Sequence, residues 1–320
     1  MTCPMNRRAF LSASALAAAG WAAGLPQRSD AQPAFKHALR KALIVGKPTA
    51  EALKPIKDAG FDGVEAGVVT LDEAREARRV AEEMGLRIHS VLPRGWADLN
   101  NPDPQKAEAS RESLAVALRT AQAYGATAVL VVPGRIGGMP MPEPWEFRVK
   151  FDPRSCHVTA VVEGDNAPYR AYMDEHNRSV DCFRQHLQRL IPVAEESGVV
   201  MAVENVWNNL FVDPYHFAAF IDSFASPWVK VYFDLGNHVK YGPTETWVRI
   251  LGKRIAKCHV KDFKLNPDGR GGKFVDIRDG SVNWPVVRRA LDDIDYADFM
   301  TIEGSGGLSR EEQSRRLDLI

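Results

Sequence analysis

Four polar side chains each close a separate apolar run in the second half of this 320-residue chain. They are Glu204 after Val-Val-Met-Ala-Val, Asp234 after Val-Lys-Val-Tyr-Phe, His259 after Ile-Ala-Lys-Cys and Glu303 after Phe-Met-Thr-Ile. Taken singly, each has an ordinary reading: a solvated strand end, a helix N-cap, a buried neutral histidine, a carboxylate in the first turn of a helix. Their recurrence at the same place in four successive runs is what points to chemistry. Three carboxylates crowded at one level repel one another by several kcal/mol unless a cation lies among them. Three oxygen donors and one imidazole suit a divalent ion, Mn²⁺ foremost, then Mg²⁺ or Co²⁺, with Zn²⁺ also compatible. An ion chelated by a carbonyl and its neighbouring hydroxyl acidifies the C–H between them. Glu204 and Glu303 come from the outer two of the four runs and are expected to flank such a substrate. One would remove the proton to give an enediolate and the other would return it, leaving Asp234 and His259 as pure ligands.

Polar and aromatic residues cluster around these four. Asn205, Asn208, Asn237 and His238 follow the first two runs and Lys261 and Asp262 follow the third, all placed to hydrogen-bond a substrate. Trp207 is read either as a platform for the apolar face of a sugar ring or as packing. His89 and Trp96 are expected to approach from an earlier strand, and Glu65 to stand behind the ligands. His216 falls in a helical pattern and is expected at the surface. Cys258 alternates with His259 and reads as a small buried apolar residue.

From Lys41 onward, short runs rich in β-branched residues alternate with amphipathic stretches. The strands are predicted over Ala42–Val45, Gly63–Val68, Arg87–Leu92, Ala128–Val132, Val199–Asn205, Val229–Asp234, Ile255–Val260 and Phe299–Glu303. Helical patterns between them include Leu71–Met84, Gln105–Tyr124, Ala171–Ser197, Pro214–Ser223 and Trp284–Leu291, and glycines such as Gly125 and Gly198 mark their ends. This alternation predicts the α/β class and a single (β/α)8 TIM barrel over residues 41–320. A doubly wound open sheet would carry a glycine-rich phosphate turn after its first strand, and Val45-Gly46-Lys47-Pro48 is not one. Two long loops are expected on the catalytic face: 133–168, a lid or a subunit contact, and 264–283, a glycine-bearing mobile loop beside the metal.

Lys plus Arg and Asp plus Glu number 41 each, so no basic field exists to neutralise phosphates, which argues against a nucleic-acid partner. The first 31 residues read as a twin-arginine (Tat) export signal: Arg7-Arg8, the apolar segment Ser12–Leu25, then Ser29-Asp30-Ala31 as a small-residue exit. The expectation is a periplasmic protein delivered by the Tat machinery, with residues 32–40 as a linker and no membrane span in the mature form. Cys156, Cys182 and Cys258 remain after cleavage, too few and too irregular for a disulfide framework or a cysteine zinc site.

The motifs Gly60-Phe61-Asp62-Gly63-Val64-Glu65, Val203-Glu204-Asn205, Phe233-Asp234-Leu235-Gly236-Asn237, His259-Val260-Lys261-Asp262 and Gly280-Ser281-Val282-Asn283-Trp284 resemble the xylose isomerase-like TIM-barrel superfamily, most closely its sugar phosphate isomerase/epimerase group with the ketose 3-epimerases. The resemblance runs from about Lys41 to Glu303. It implies a carbohydrate substrate, one metal held by Glu204, Asp234, His259 and Glu303, and the two glutamates as the acid/base pair. Barrels of this kind often pair into homo-oligomers through their long loops. This chain departs from the epimerase pattern in two places. His238 sits four residues after Asp234 where the group has its histidine three after, and Lys261-Asp262-Phe263-Lys264 stands where many epimerases carry an arginine. Two other outcomes share the same site: an exported keto-glycoside lyase or hydratase, and a sugar-binding barrel without catalysis. A family-two apurinic endonuclease would need more histidine ligands for its three metals.

Overall fold

The computed structural model describes residues 35–320, apart from Trp96 and Ser305. The Tat-like segment 1–31, the start of the linker and Trp96 therefore lie outside the described residues. Eight parallel strands alternate with eight helices. The strands are β1 (Arg40–Val45), β2 (Gly63–Gly67), β3 (Arg87–Leu92), β4 (Ala128–Val131), β5 (Val200–Glu204), β6 (Val229–Asp234), β7 (Ile255–Val260) and β8 (Phe299–Ile302). The helices are α1 (Ala50–Asp58), α2 (Leu71–Glu83), α3 (Pro104–Tyr124), α4 (Arg170–Ser197), α5 (Pro214–Asp222), α6 (Thr244–Leu251), α7 (Trp284–Asp293) and α8 (Arg310–Asp318). Each strand pairs with the next, and β8 closes on β1 through Arg40 opposite Phe299.

Local chemistry sets where the elements begin and end. Thr70 and Glu73 form a reciprocal capping box that opens α2, and Asp103 with Pro104 opens α3. Gly125 and Gly198 close α3 and α4 at φ 71° and 64°, a left-handed turn that costs a side-chain-bearing residue far more than glycine.

The two-residue period of the strands sorts side chains between two cores. Met201, Val203, Val231, Phe233, Cys258, Val260, Met300 and Ile302 face outward into the layer shared with the helices. Ala128, Leu130, Ala202 and Tyr232 fill the barrel interior. A fully buried aromatic such as Phe233 contributes roughly 1.5–3 kcal/mol by leaving water. The same alternation sends Glu204, Asp234, His259 and Glu303 inward, and the strand ends lift them to the C-terminal rim.

Both long loops carry regular structure. Within 133–168, Lys150–Phe151 pairs with Val158–Ala160, and the hairpin is tied to α4 by Val158 N donating to Asn177 Oδ1 at 2.7 Å. In the second, Asp262–Leu265 pairs with Gly272–Val275, so the segment expected to be a mobile loop is an antiparallel hairpin over the rim. Residues 35–40 are not a free linker either: Lys36 N donates to Asp292 Oδ1 at 2.8 Å, Arg288 lies over the Phe35 ring, and Arg40 already belongs to β1. Among the described residues, no helix is long and apolar enough to cross a membrane.

Candidate metal centre and active site

At the C-terminal rim, one ligand atom each from Glu204, Asp234, His259 and Glu303 lies within 4.8 Å of the other three. These residues come from β5, β6, β7 and the residue after β8, four successive staves of the barrel. His259 stands at the centre. Its Nδ1 lies 3.2 Å from Glu204 Oε1 and 3.1 Å from Glu303 Oε2. Its Nε2 lies 2.7 Å from Glu65 Oε2, and Ser90 Oγ donates to Glu65 Oε1 at 2.7 Å. Glu65 thus fixes the ring so that Nδ1 turns toward the carboxylates, an arrangement that raises the basicity of a ligating histidine.

Electrostatics divide the carboxylates. Burial pushes the Glu204 carboxyl up to about 7, with Glu303 and Asp234 adding to the rise and His259 opposing it. Burial also raises Asp234, against the charge of Lys261. Glu303 goes the other way: burial opposes its charge, but the hydrogen bonds and charges of His259 and Lys261 outweigh burial and hold it well below the usual carboxylate range. For His259, burial disfavours the imidazolium, yet Tyr232, Glu65, Glu204 and Glu303 together raise its pKa well above the ordinary value. Without a metal, the proton on His259 and the ammonium of Lys261 supply the positive charge this cage needs.

The donor set fits a divalent cation. Asp234 Oδ2 and Glu303 Oε2 are buried and face cationic groups: the Lys261 ammonium lies 3.3 and 3.0 Å away, and His259 Nδ1 is 3.1 Å from the Glu303 oxygen. Two carboxylate oxygens that converge on positive charge, next to a third carboxylate and an imidazole nitrogen, are what a metal with oxygen and nitrogen ligands requires. Binding would need Nδ1 of His259 deprotonated, with Nε2–H still held by Glu65.

The expected substrate contacts have mostly been recruited to hold the rim together. Asn205 Oδ1 accepts from Asp234 N at 2.6 Å and its Nδ2 donates to Asp234 O at 2.9 Å, so its amide clamps β5 to β6. Asn237 N donates to Asp234 Oδ1 at 2.7 Å and its Nδ2 donates to Asn205 O at 3.0 Å. Asn208 Nδ2 donates to Pro133 O. His238 is buried, with its Nε2 3.4 Å from Val206 O and its ring edge-on to Trp247. Asp262 is also buried and faces the return of the hairpin, accepting from the N–H groups of Phe263, Arg278, Gly280 and Val282 and from Trp284 Nε1. His89 does not reach the rim: it stacks on Phe299, which begins β8, with ring centroids 4.2 Å apart, and its Nε2 meets Thr301 Oγ1. The reason is common to all of them. Backbone groups freed where strands end must find partners, and nearby side chains supply them.

Lys261, Trp207 and Glu303 do face the mouth. Trp207 packs against Phe263 and, from the hairpin, Phe274, with the Lys240 ammonium 3.7 Å from its ring centroid. Phe274, Lys240, Tyr232 and Ser90 were missed in the sequence. Tyr232, with its ring centroid 4.2 Å from that of His259, was legible from alternation, standing two residues before Asp234. Ser90 was not, because a bulge skips His89 and brings Ser90 opposite Glu65. His216 is buried rather than exposed. Its Nε2 meets Cys156 O at 2.8 Å and so anchors the first long loop, a role set by packing across 60 residues.

The family model described as xylose isomerase-like TIM barrel matches residues 53–317. The chain belongs to this family. A curated relative, the putative L-ribulose-5-phosphate 3-epimerase SgbU of Escherichia coli K12, is 28% identical over 144 residues, which cover 43% of this chain and 49% of the relative. The chain thus spans about half the length of the curated relative it matches. Among solved structures, the apo 3-keto-D-glucoside 4-epimerase YcjR of E. coli superposes with a TM-score of 0.64 at 13% identity, covering 88% of this chain and 98% of that one. A xylose isomerase domain protein from Planctomyces limnophilus gives 0.62 at 16% identity, covering 89% and 96%. At such identities the structural likeness shows a shared fold. The family is one of TIM barrels, a fold whose active sites sit at the C-terminal rim, and the four-residue cage stands at that rim here.

Proposed function

We propose that this member of the xylose isomerase-like family is a divalent-metal-dependent sugar isomerase or epimerase that moves a proton next to a carbonyl. The observation that carries this reading is the cage itself, in which Glu204 and Glu303 both approach His259 Nδ1 and Asp234 completes the set. The sugar epimerase name of the curated relative supports the substrate class. A cation held by Glu204, Asp234, His259 and Glu303, with Mn²⁺ favoured, would supply Lewis acidity to two adjacent substrate oxygens. The rest falls to side chains. One glutamate takes the proton from the carbon beside the carbonyl, and the other delivers a proton to the carbon so left planar. Lys261, at the mouth, is placed to hydrogen-bond a substrate oxygen, and Phe274 and Trp207 offer apolar surface to a sugar ring.

The test is incubation of the Mn²⁺-loaded protein with a panel of ketoses and keto-glycosides in D₂O, followed by NMR. Deuterium entering the substrate pool without net loss of sugar is the expected result; release of an aglycone or of water would instead make the protein a lyase or hydratase. Glu204→Gln and Glu303→Gln should each lower turnover by roughly 10²–10⁴-fold while metal still binds. Sugar affinity that survives both changes, with no turnover found in the parent, would turn the reading into a binding protein.

The export reading is also a proposal, supported by the Arg7-Arg8 pair and the apolar segment that follows. Replacing Arg7 and Arg8 by lysine should hold a tagged protein in the cytoplasm, where the parent is recovered from the periplasm. Equal fractionation of the two would end the Tat assignment.

A further inference from the structure

Lys261 follows β7 directly, and its side chain is only 17% exposed. Its Nζ lies 3.3 Å from Asp234 Oδ2, 3.0 Å from Glu303 Oε2 and 3.4 Å from Asn237 Oδ1. The two carboxylates belong to the cage, so the ammonium sits against the oxygens a cation would use. The stem is confined from below: a Cβ added to Gly236 would stand 2.6 Å from Lys261 O and 3.0 Å from its Cβ. On the other side, the Phe274 ring centroid is 5.2 Å from the ammonium. The lysine is thus built into the cage wall with two alternative supports, the carboxylates inward and Asn237 with Phe274 beside them.

An ammonium and a divalent ion cannot both use Asp234 Oδ2 and Glu303 Oε2. Like charges this close repel, and a doubly charged ion repels the ammonium twice as strongly as a singly charged one. We propose that Lys261 is a tethered placeholder for the metal. In the metal-free protein its ammonium neutralises Asp234 and Glu303. When the divalent ion enters, the ammonium leaves Asp234, and Asn237 Oδ1 and the face of Phe274 retain it at the mouth, ready to donate to a substrate oxygen. Metal loading and sugar recognition are then coupled through one side chain, at the cost of some metal affinity. This inference rests on the metal reading given under the proposed function.

The experiment is calorimetric titration of Mn²⁺ into the metal-free parent, Lys261→Met, Lys261→Gln and Lys261→Arg, with thermal melts of each protein before and after loading. Removing the placeholder should tighten Mn²⁺ binding about tenfold or more, a change of roughly 1.4 kcal/mol. It should also lower the metal-free Tm, so that the metal-induced rise exceeds that of the parent. Lys261→Arg, which keeps the charge, should stay near the parent in both. Mn²⁺ affinity unchanged or weakened in folded Lys261→Met and Lys261→Gln, alongside saturable binding in the parent, overturns the placeholder and leaves the metal site standing. A parent that binds no divalent ion removes the metal reading and this inference with it.

Discussion

Glu204 and Glu303 have the same side chain and touch the same imidazole nitrogen, yet they differ in environment. Glu204 is buried, while the Glu303 side chain is 34% exposed and shares the Lys261 ammonium. That difference has a measurable consequence for the metal-free protein. The Glu204 pKa rises on folding from an ordinary value of 4.5 to about 7. Between those values the folded state holds a proton that the unfolded state has released, so stability falls as pH rises through the window. The loss from this group alone is on the order of 3 kcal/mol, complete above the folded pKa. Gln cannot ionise, so Glu204→Gln escapes the loss. Melts of metal-free parent and variant should therefore diverge between pH 4.5 and pH 7.5, with the variant gaining Tm relative to the parent by up to about 5 °C. Curves that run parallel across that range would show that burial does not hold the Glu204 proton.

Among the elements, the hairpin after β7 depends most on a single side chain. Asp262 gathers four backbone N–H groups and one indole N–H, four of these five donors lying between Arg278 and Trp284. Gly280 lies so close that an added Cβ would stand 2.0 Å from Asp262 Oδ1. Asp262→Ala should cost about 3 kcal/mol, because several buried donors lose a charged acceptor at once. The damage should be local: hydrogen exchange should rise across 262–284, and KM should rise more than kcat falls, since Phe274 rides on this hairpin. Faster exchange spread evenly over the barrel would contradict a local anchor. The Lys261-Asp262 pair was visible in the sequence, but its division of labour was not. Strand ends were legible to within about two residues, because alternation and the glycine stops are local signals, and β3, β6 and β7 match their predicted spans. Which side chain turns to the substrate and which turns to a neighbouring backbone depends on where the next strand lies. For that reason the rim contacts of Asn205, Asn237, His238 and Asp262 were not legible in the sequence, and His216, expected outside, is buried.

For the molecule as a whole, the cage joins β5, β6, β7 and the end of β8, half of a barrel that has no free edge. Strand pairing satisfies the backbone of those staves, and at the rim it gathers three carboxylates that in the metal-free protein lean on His259 and the Lys261 ammonium. On the proposed reading, a metal takes over that charge balance. Such an ion would bind the closed barrel and find no preformed site in the unfolded chain, so it should stabilise by mass action, about 2.7 kcal/mol at a free concentration one hundred times Kd. For a domain of this size, that corresponds to a rise in Tm of roughly 4–5 °C, reversed by a chelator. Glu65→Gln should shrink the rise without touching any ligand, because the imidazole loses the carboxylate that orients it, and outer partners of this kind are worth roughly 10–100-fold in metal affinity. The two measurements together separate a coordinated ion from general charge screening. A salt effect would raise Tm equally in parent and variant and would be reproduced by a monovalent ion at the same ionic strength, whereas coordination requires the divalent ion and depends on Glu65.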